Sequence, residues 1–219
     1  MLFTQIKQLL IKEIRLETRQ KYALNGILLY VISTIFISYL AFKSIVSPAT
    51  WNALFWIIML FASVNAIAKS FIQESKGRLL YFYTLTSAEA IILSKIIYNV
   101  LLMLVLAAFC FVFYSLLIGN IVQDIPLFLL VLLLGCMGFA TLLTMVSAIA
   151  AKANNNFTLM GILSFPIMIP LLMTIVKVSK NAIDGLNRSV SYHYLLILLL
   201  LNLIVIVLAY ILFPYLWRD

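Results

Sequence analysis

Six runs of apolar residues, each close to the length that crosses a bilayer, fix what this 219-residue chain can fold into. A hydrocarbon core takes roughly 20 consecutive apolar residues in a helix. The runs lie near 25–42, 51–68, 96–118, 126–151, 157–176 and 193–213. The breaks at 43–48, 69–95, 119–124, 152–156 and 177–192 carry charged and turn-forming residues. No segment alternates at period two over the length of a barrel strand, so helices are expected throughout. The reading is an all-α polytopic membrane protein with six transmembrane helices, forming one domain over 1–219.

Composition points the same way. The chain is 65% hydrophobic and 10% charged, with mean hydropathy +1.17. Soluble domains run at roughly 45–50% apolar and about 25% charged. A single water-facing core of this size cannot hide the surplus, which must face lipid. Fifteen Lys and Arg against seven Asp and Glu give +8. That balance suits anionic membrane lipids, and the charges are too few for a nucleic-acid patch, so no nucleic-acid partner is expected. Cys110 and Cys136 sit inside apolar runs and read as small buried hydrophobes, not as a disulfide.

An even number of spans places both termini on one side, and the Lys/Arg count selects it. Lys7, Lys12, Arg15, Arg19, Lys21, Lys69, Lys76, Arg78, Lys95, Lys152 and Arg218 fall on one side; Lys43, Lys177, Lys180 and Arg188 fall on the other. Both termini are therefore expected in the cytoplasm. Residues 1–21 are charge-rich and show no cleavage pattern, so no cleavable signal peptide is expected.

Residues 2–21 place Leu2, Phe3, Ile6, Leu9, Leu10, Ile14 and Leu16 on one broad helical face, with Lys7, Lys12, Arg15 and Arg19 largely off it. This predicts an amphipathic helix lying in the membrane interface. Glu13 and Glu17 fall four residues apart within that apolar face and need partners. Either the helix has left the lipid by that turn, leaving both solvated and Glu17 facing Lys21, or the two carboxylates dock on a segment carrying Lys76 and Arg78, or on a partner protein.

That segment, 69–95, is the longest charged loop. Gly77 can end a short helix near 70–76, and Ser87 with Glu89 and Ala90 can start the next. Tyr81, Phe82 and Tyr83 read either as interfacial belt aromatics or as part of a lever that takes force from a motor on that side.

Chemistry is sparse in the apolar runs. Every acidic residue, Glu13, Glu17, Glu74, Glu89, Asp124, Asp184 and Asp219, lies outside them, and no basic residue or histidine stands within the apolar interior. This removes the usual site for proton or cation coupling. His193 opens the sixth run between Tyr192 and Tyr194 and reads as an interfacial residue, a ligand role being the alternative. There is no P-loop, no hydrolase elbow and no zinc-protease pattern, so an enzyme is not expected and no metal is assigned. Gly135 and Gly138, with Ala140, Ser147, Ala148, Ala150 and Ala151, predict close helix packing in the fourth span. Pro166 and Pro170 each remove a backbone donor and predict a bend, break or hinge in the fifth. The stretch 177–192 is long and polar for a turn and predicts a short helix resting on the outer surface.

The order of parts resembles the membrane subunit of type-2 ABC exporters. Three stretches, Leu10-Ile-Lys-Glu-Ile-Arg-Leu-Glu-Thr-Arg19, Phe71-Ile-Gln-Glu-Ser-Lys-Gly-Arg78 leading to Ala90-Ile-Ile-Leu-Ser-Lys-Ile96, and Phe165-Pro-Ile-Met-Ile-Pro-Leu-Leu172, resemble the cytochrome c maturation protein B (CcmB) family of haem exporter permease subunits. The resemblance covers essentially the whole chain. Where the family pattern sets an acidic residue after the glycine, this chain has Gly77-Arg-Leu-Leu80, which shifts the acidic contact to Glu74.

The resemblance implies a single permease domain in the bacterial inner membrane, with 69–95 as its coupling loop. It implies two copies of the chain paired with two copies of a CcmA-like ATPase, alongside CcmC-like and CcmD-like membrane partners. Glu13, Glu17, Phe71, Glu74, Lys76, Gly77 and Arg78 are the expected coupling residues; Gly135, Gly138, Pro166 and Pro170 are the expected packing or hinge residues. ATP would be hydrolysed by the partner, and haem is the expected transported species, with no cofactor held by this chain. The other readings are a static scaffold for haem-handling proteins, or a permease for another lipophilic substrate.

Overall fold

In lipid no water is available to an exposed peptide group, so a spanning segment must satisfy its backbone internally, as a helix does. The computed structural model describes residues 2–19, 21–42, 46–67, 69–72, 86–152 and 157–218, and every regular element among them is helical. α1 (Leu2–Arg19) precedes α2 (Lys21–Phe42) and α3 (Pro48–Ile67), followed by the single turn α4 (Lys69–Ile72). α5 (Ala88–Leu117), α6 (Ile125–Lys152), α7 (Phe157–Ile183) and α8 (Ser189–Arg218) complete the chain. Six of these, α2, α3 and α5 to α8, are long and apolar enough to cross a membrane.

α6 is the hub: 72% of its span is buried, against 11% for α2 and 17% for α8. Its small residues allow this. A Cβ on Gly135 would lie 3.0 Å from the Trp56 ring on α3, and one on Gly138 would lie 2.7 Å from Leu171 Cδ1 on α7. Close backbone approach brings dispersion contacts that larger side chains would hold apart. Cys110 and Cys136 are buried and free.

At the end of the bundle remote from α1, aromatic rings and polar side chains tie the helices. Trp51 Nε1 donates to the Gly119 carbonyl at 2.9 Å, and the Tyr114 hydroxyl donates to the Trp51 carbonyl at 2.9 Å. Phe55 and Phe128 pack on the same indole at 5.7 and 5.8 Å between centroids. Deeper in, Trp56 Nε1 donates to Ser179 Oγ at 2.9 Å, Asn52 Oδ1 lies 2.8 Å from that hydroxyl, and Asn52 Nδ2 donates to the Val176 carbonyl.

One expectation for α7 changes. The stretch 177–192 is not a long loop with its own surface helix: α7 runs on to Ile183 and α8 begins at Ser189, leaving 184–188 as the connection. Lys177 and Lys180 are exposed on the helix, so their charges do not require it to stop. The stop comes from Gly185 at φ +64°, where the Leu186 N–H returns to the Asn181 carbonyl at 3.1 Å, the hydrogen bond of a Schellman cap. Pro166 and Pro170 both lie inside α7, which continues through them unbroken.

Asp124 joins three helix ends here. Its Oδ1 accepts from the Leu127 N–H at 3.2 Å at the start of α6, and its own N–H donates to Ala182 at the end of α7. Arg188, just before α8, donates to both carboxylate oxygens, at 2.7 and 2.9 Å. Hydrogen bonding from Arg188 and from the Leu127 N–H holds the Asp124 carboxyl below its ordinary value. A carboxylate depressed in the folded state contributes fully above its ordinary pKa, about 3.9, and its contribution is lost as pH falls through the depressed value. Acidification from neutral pH into that range should therefore lower the thermal midpoint of the wild-type chain in detergent more than that of Asp124→Asn. A second expectation follows from the hub: Gly138→Val should cost about 1–3 kcal/mol of stability through overpacking on Leu171, measured as a lowered midpoint of unfolding.

Candidate functional site

The α1 end of the bundle is assembled from the first turns of α5. Ser87 takes the extended conformation of an N-cap (φ −75°, ψ 149°), and its hydroxyl accepts from the Ala90 N–H at 3.3 Å. Glu89 adds negative charge to that first turn, where the helix dipole favours it. The same Ser87 hydroxyl lies 3.4 Å from Gln5 Oε1 on α1. α1 lies along this stretch with Leu9 buried, and Phe71 of α4, Ile92 and Ile96 of α5, Ala148 of α6 and Phe213 of α8 join one apolar cluster.

Lys95 stands inside the junction with 3% of its side chain exposed. Its Nζ donates to the Ser70 carbonyl of α4 at 2.6 Å, lies 3.4 Å from Glu13 Oε1 of α1, and sits 4.7 Å above the Phe71 ring. An ammonium removed from water costs several kcal/mol unless charge and hydrogen bonds replace its hydration. Here a carboxylate, a carbonyl and an aromatic face do so. One turn along α5, Asn99 Nδ2 donates to Ser70 Oγ at 3.2 Å and to Thr144 Oγ1 of α6 at 2.7 Å.

The structure brings Glu13 and Phe71 together but around a residue absent from the candidate set. Glu13 keeps 15% of its side chain exposed and pairs with Lys12 at 3.1 Å as well as with Lys95, so it is neither fully solvated nor a free anchor. Glu17 lies one turn further along α1. α5 begins at Ala88, ahead of the apolar run, so Lys95, expected at the end of the charged loop, is instead a buried residue of a helix long enough to span. Glu74, Lys76, Gly77 and Arg78 lie outside the described residues. Gly135, Gly138, Pro166 and Pro170 belong to the packing of α6 and to α7, away from this junction. His193 is exposed near the start of α8, and among the described residues no three His, Cys, Asp or Glu side chains gather as a metal site.

The signal for Lys95 was present. Lys95 and Asn99 are polar residues four apart leading into an apolar helix, a spacing that sets both on one face. A charged residue entering a span on the same face as a buried amide points inward.

A bundle with six helices long and apolar enough to span, with an N-terminal helix and a short turn docked on one end of its third span, defines a multi-pass membrane protein. The family model for the CcmB protein matches residues 4–214, and the chain belongs to the CcmB family. That membership carries the haem-exporter permease role in cytochrome c biogenesis, within the Ccm system. No curated protein matches the chain.

Loss of the α5 cap should loosen this end first. Ser87→Ala is expected to cost about 1 kcal/mol, read as faster amide hydrogen exchange at Ala90 with exchange in α6 unchanged.

Proposed function

We propose that the chain is the force-receiving membrane subunit of an ATP-driven haem-export complex in a bacterial inner membrane. The junction of α1, α4 and α5 faces the cytoplasm, together with both termini. The observation that carries this reading is the docking of α1 and α4 on the start of a spanning helix, on the side to which the sequence pattern assigns eleven of the fifteen Lys and Arg residues. A push delivered to the segment after α4 enters the bundle there. Energy comes from outside the chain, since its sequence holds no P-loop.

A CcmA-like subunit hydrolyses ATP and contacts 69–95, with Glu74, Lys76, Gly77 and Arg78 at the contact. Glu13 and Glu17 hold α1 against the moving segment. Two copies of this chain pair with two ATPase subunits, and CcmC-like and CcmD-like proteins complete the assembly. Haem is the cargo, moved or released toward its chaperone, and this chain keeps no cofactor of its own. Pro166 and Pro170 let α7 flex as motion passes outward.

Co-expression with an ATPase subunit whose catalytic residue has been replaced tests this reading. The complex should still assemble, while mature cytochrome c falls to the level seen without the permease. Maturation at the normal yield would instead make the chain a static scaffold.

A further inference from the structure

Four helices meet around one serine. The Ser70 carbonyl accepts from Lys95 at 2.6 Å and the Ser70 hydroxyl from Asn99 at 3.2 Å, so α4 is gripped through backbone and side chain by two residues one turn apart on α5. Lys95 continues to Glu13 on α1 at 3.4 Å, and Asn99 continues to Thr144 on α6 at 2.7 Å. A polar line, Glu13 to Lys95 to Ser70 to Asn99 to Thr144, thus crosses α1, α4, α5 and α6. Three of its members are enclosed: Lys95, Asn99 and Thr144 are 3%, 1% and 0% exposed. From Thr144 the α6 backbone reaches Gly138 and Gly135, where it abuts α7 at Leu171 and α3 at Trp56.

We infer that Lys95 and Asn99 are positioning residues forming a polar yoke, which fixes α1 and α4 to α5 and α6 so that displacement of α4 displaces α6. The inference rests on the coupling reading above and assigns it a transmission route. An apolar contact between helices can slide, because one set of dispersion contacts replaces another of similar strength. A hydrogen bond in a low-dielectric interior is directional, and stretching it strands both partners away from water. An ammonium enclosed as Lys95 is cannot leave Glu13 and Ser70 without the full cost of an unpaired buried charge. The helices around it therefore move together or not at all. A merely cohesive contact would not need a lysine, since the apolar cluster of Leu9, Phe71 and Phe213 already closes the same space.

The test uses the full-length chain co-expressed with its ATPase subunit, comparing Lys95→Met, Lys95→Arg and Asn99→Leu with wild type. Three quantities are read: chain in the membrane with ATPase retained, ATP hydrolysis by the purified complex, and mature cytochrome c. Lys95→Met and Asn99→Leu should retain the ATPase and hydrolyse ATP within about twofold of wild type, while cytochrome c falls about tenfold or more, the size of an ordinary loss of coupling between sites. Lys95→Arg, which keeps the charge and the donors, should recover most of the yield. Cytochrome c at the wild-type level in both deleting variants, or a loss that only tracks the amount of chain present, overturns the yoke. If Lys95→Met does not accumulate, Asn99→Leu decides, because it leaves the Lys95 and Glu13 pair in place. A wild-type chain that fails to retain the ATPase overturns the coupling reading itself and the yoke with it, an outcome distinct from variants that assemble and work normally.

Discussion

Lipid gives apolar helices no reason to leave it for one another, so a bundle of this composition coheres only where backbones approach closely or polar groups find partners inside. α6 supplies both. Its glycines admit the Trp56 ring and the Leu171 side chain to within contact of the backbone, and Thr144 accepts the Asn99 amide. α2 and α8, with far less of their surface buried, are held at the periphery and present mostly apolar side chains outward. Removing the close approach at α6 would strip out the central packing and leave α3 tied to α5 and α7 by the polar contacts of Trp51, Asn52 and Trp56.

The two ends of the bundle are bound by different physics. At the end remote from α1, Trp51, Phe55, Tyr114 and Phe128 interlock, and their polar atoms bond to backbone carbonyls of other elements. The two-toothed contact of Arg188 with Asp124 closes the connections outside. Aromatic packing is close-fitting and resists change of shape. At the α1 end an apolar cluster around Leu9, Phe71 and Phe213 is crossed by links through single polar side chains: a lysine, an asparagine and a serine. Such links hold elements in register while allowing a joined group of helices to shift as a body. A stiff end and a jointed end suit a subunit that receives displacement on one side.

Span number and helical class were readable because lipid-facing composition and run length leave few alternatives. The start of α5 at Ser87 was readable from cap chemistry, as was the crowding on α6 from its run of small residues. The polar residues after 176 suggest a loop, but Lys177 and Lys180 remain solvated on a helix and Gly185 provides the left-handed turn that stops it. Lys95 is hidden for the opposite reason: in the sequence it stands as the last residue of a charged loop. What decided its role was the neighbour it met in space, and Glu13 lies 82 residues away. Pairings at that separation are set by how helices dock, which periodicity within one helix does not reveal.

Helix length explains why the junction forms where it does. α2 and α3 have 22 and 20 residues, close to the roughly 20 that a bilayer core accommodates. α1 and α4 are the neighbours of α2 and α3 in sequence. α5 has 30 residues, about 45 Å at 1.5 Å each, so nearly a third of it extends past a core of about 30 Å. Its docked first turns, from Ala88 to Lys95, place that excess at the α1 end and provide the wall that α1 and α4 meet. A lysine is tolerable here because acceptors from α1 and α4 gather around its ammonium. The first turns of α5 thus provide both the docking site and the setting in which a buried charge can hold it.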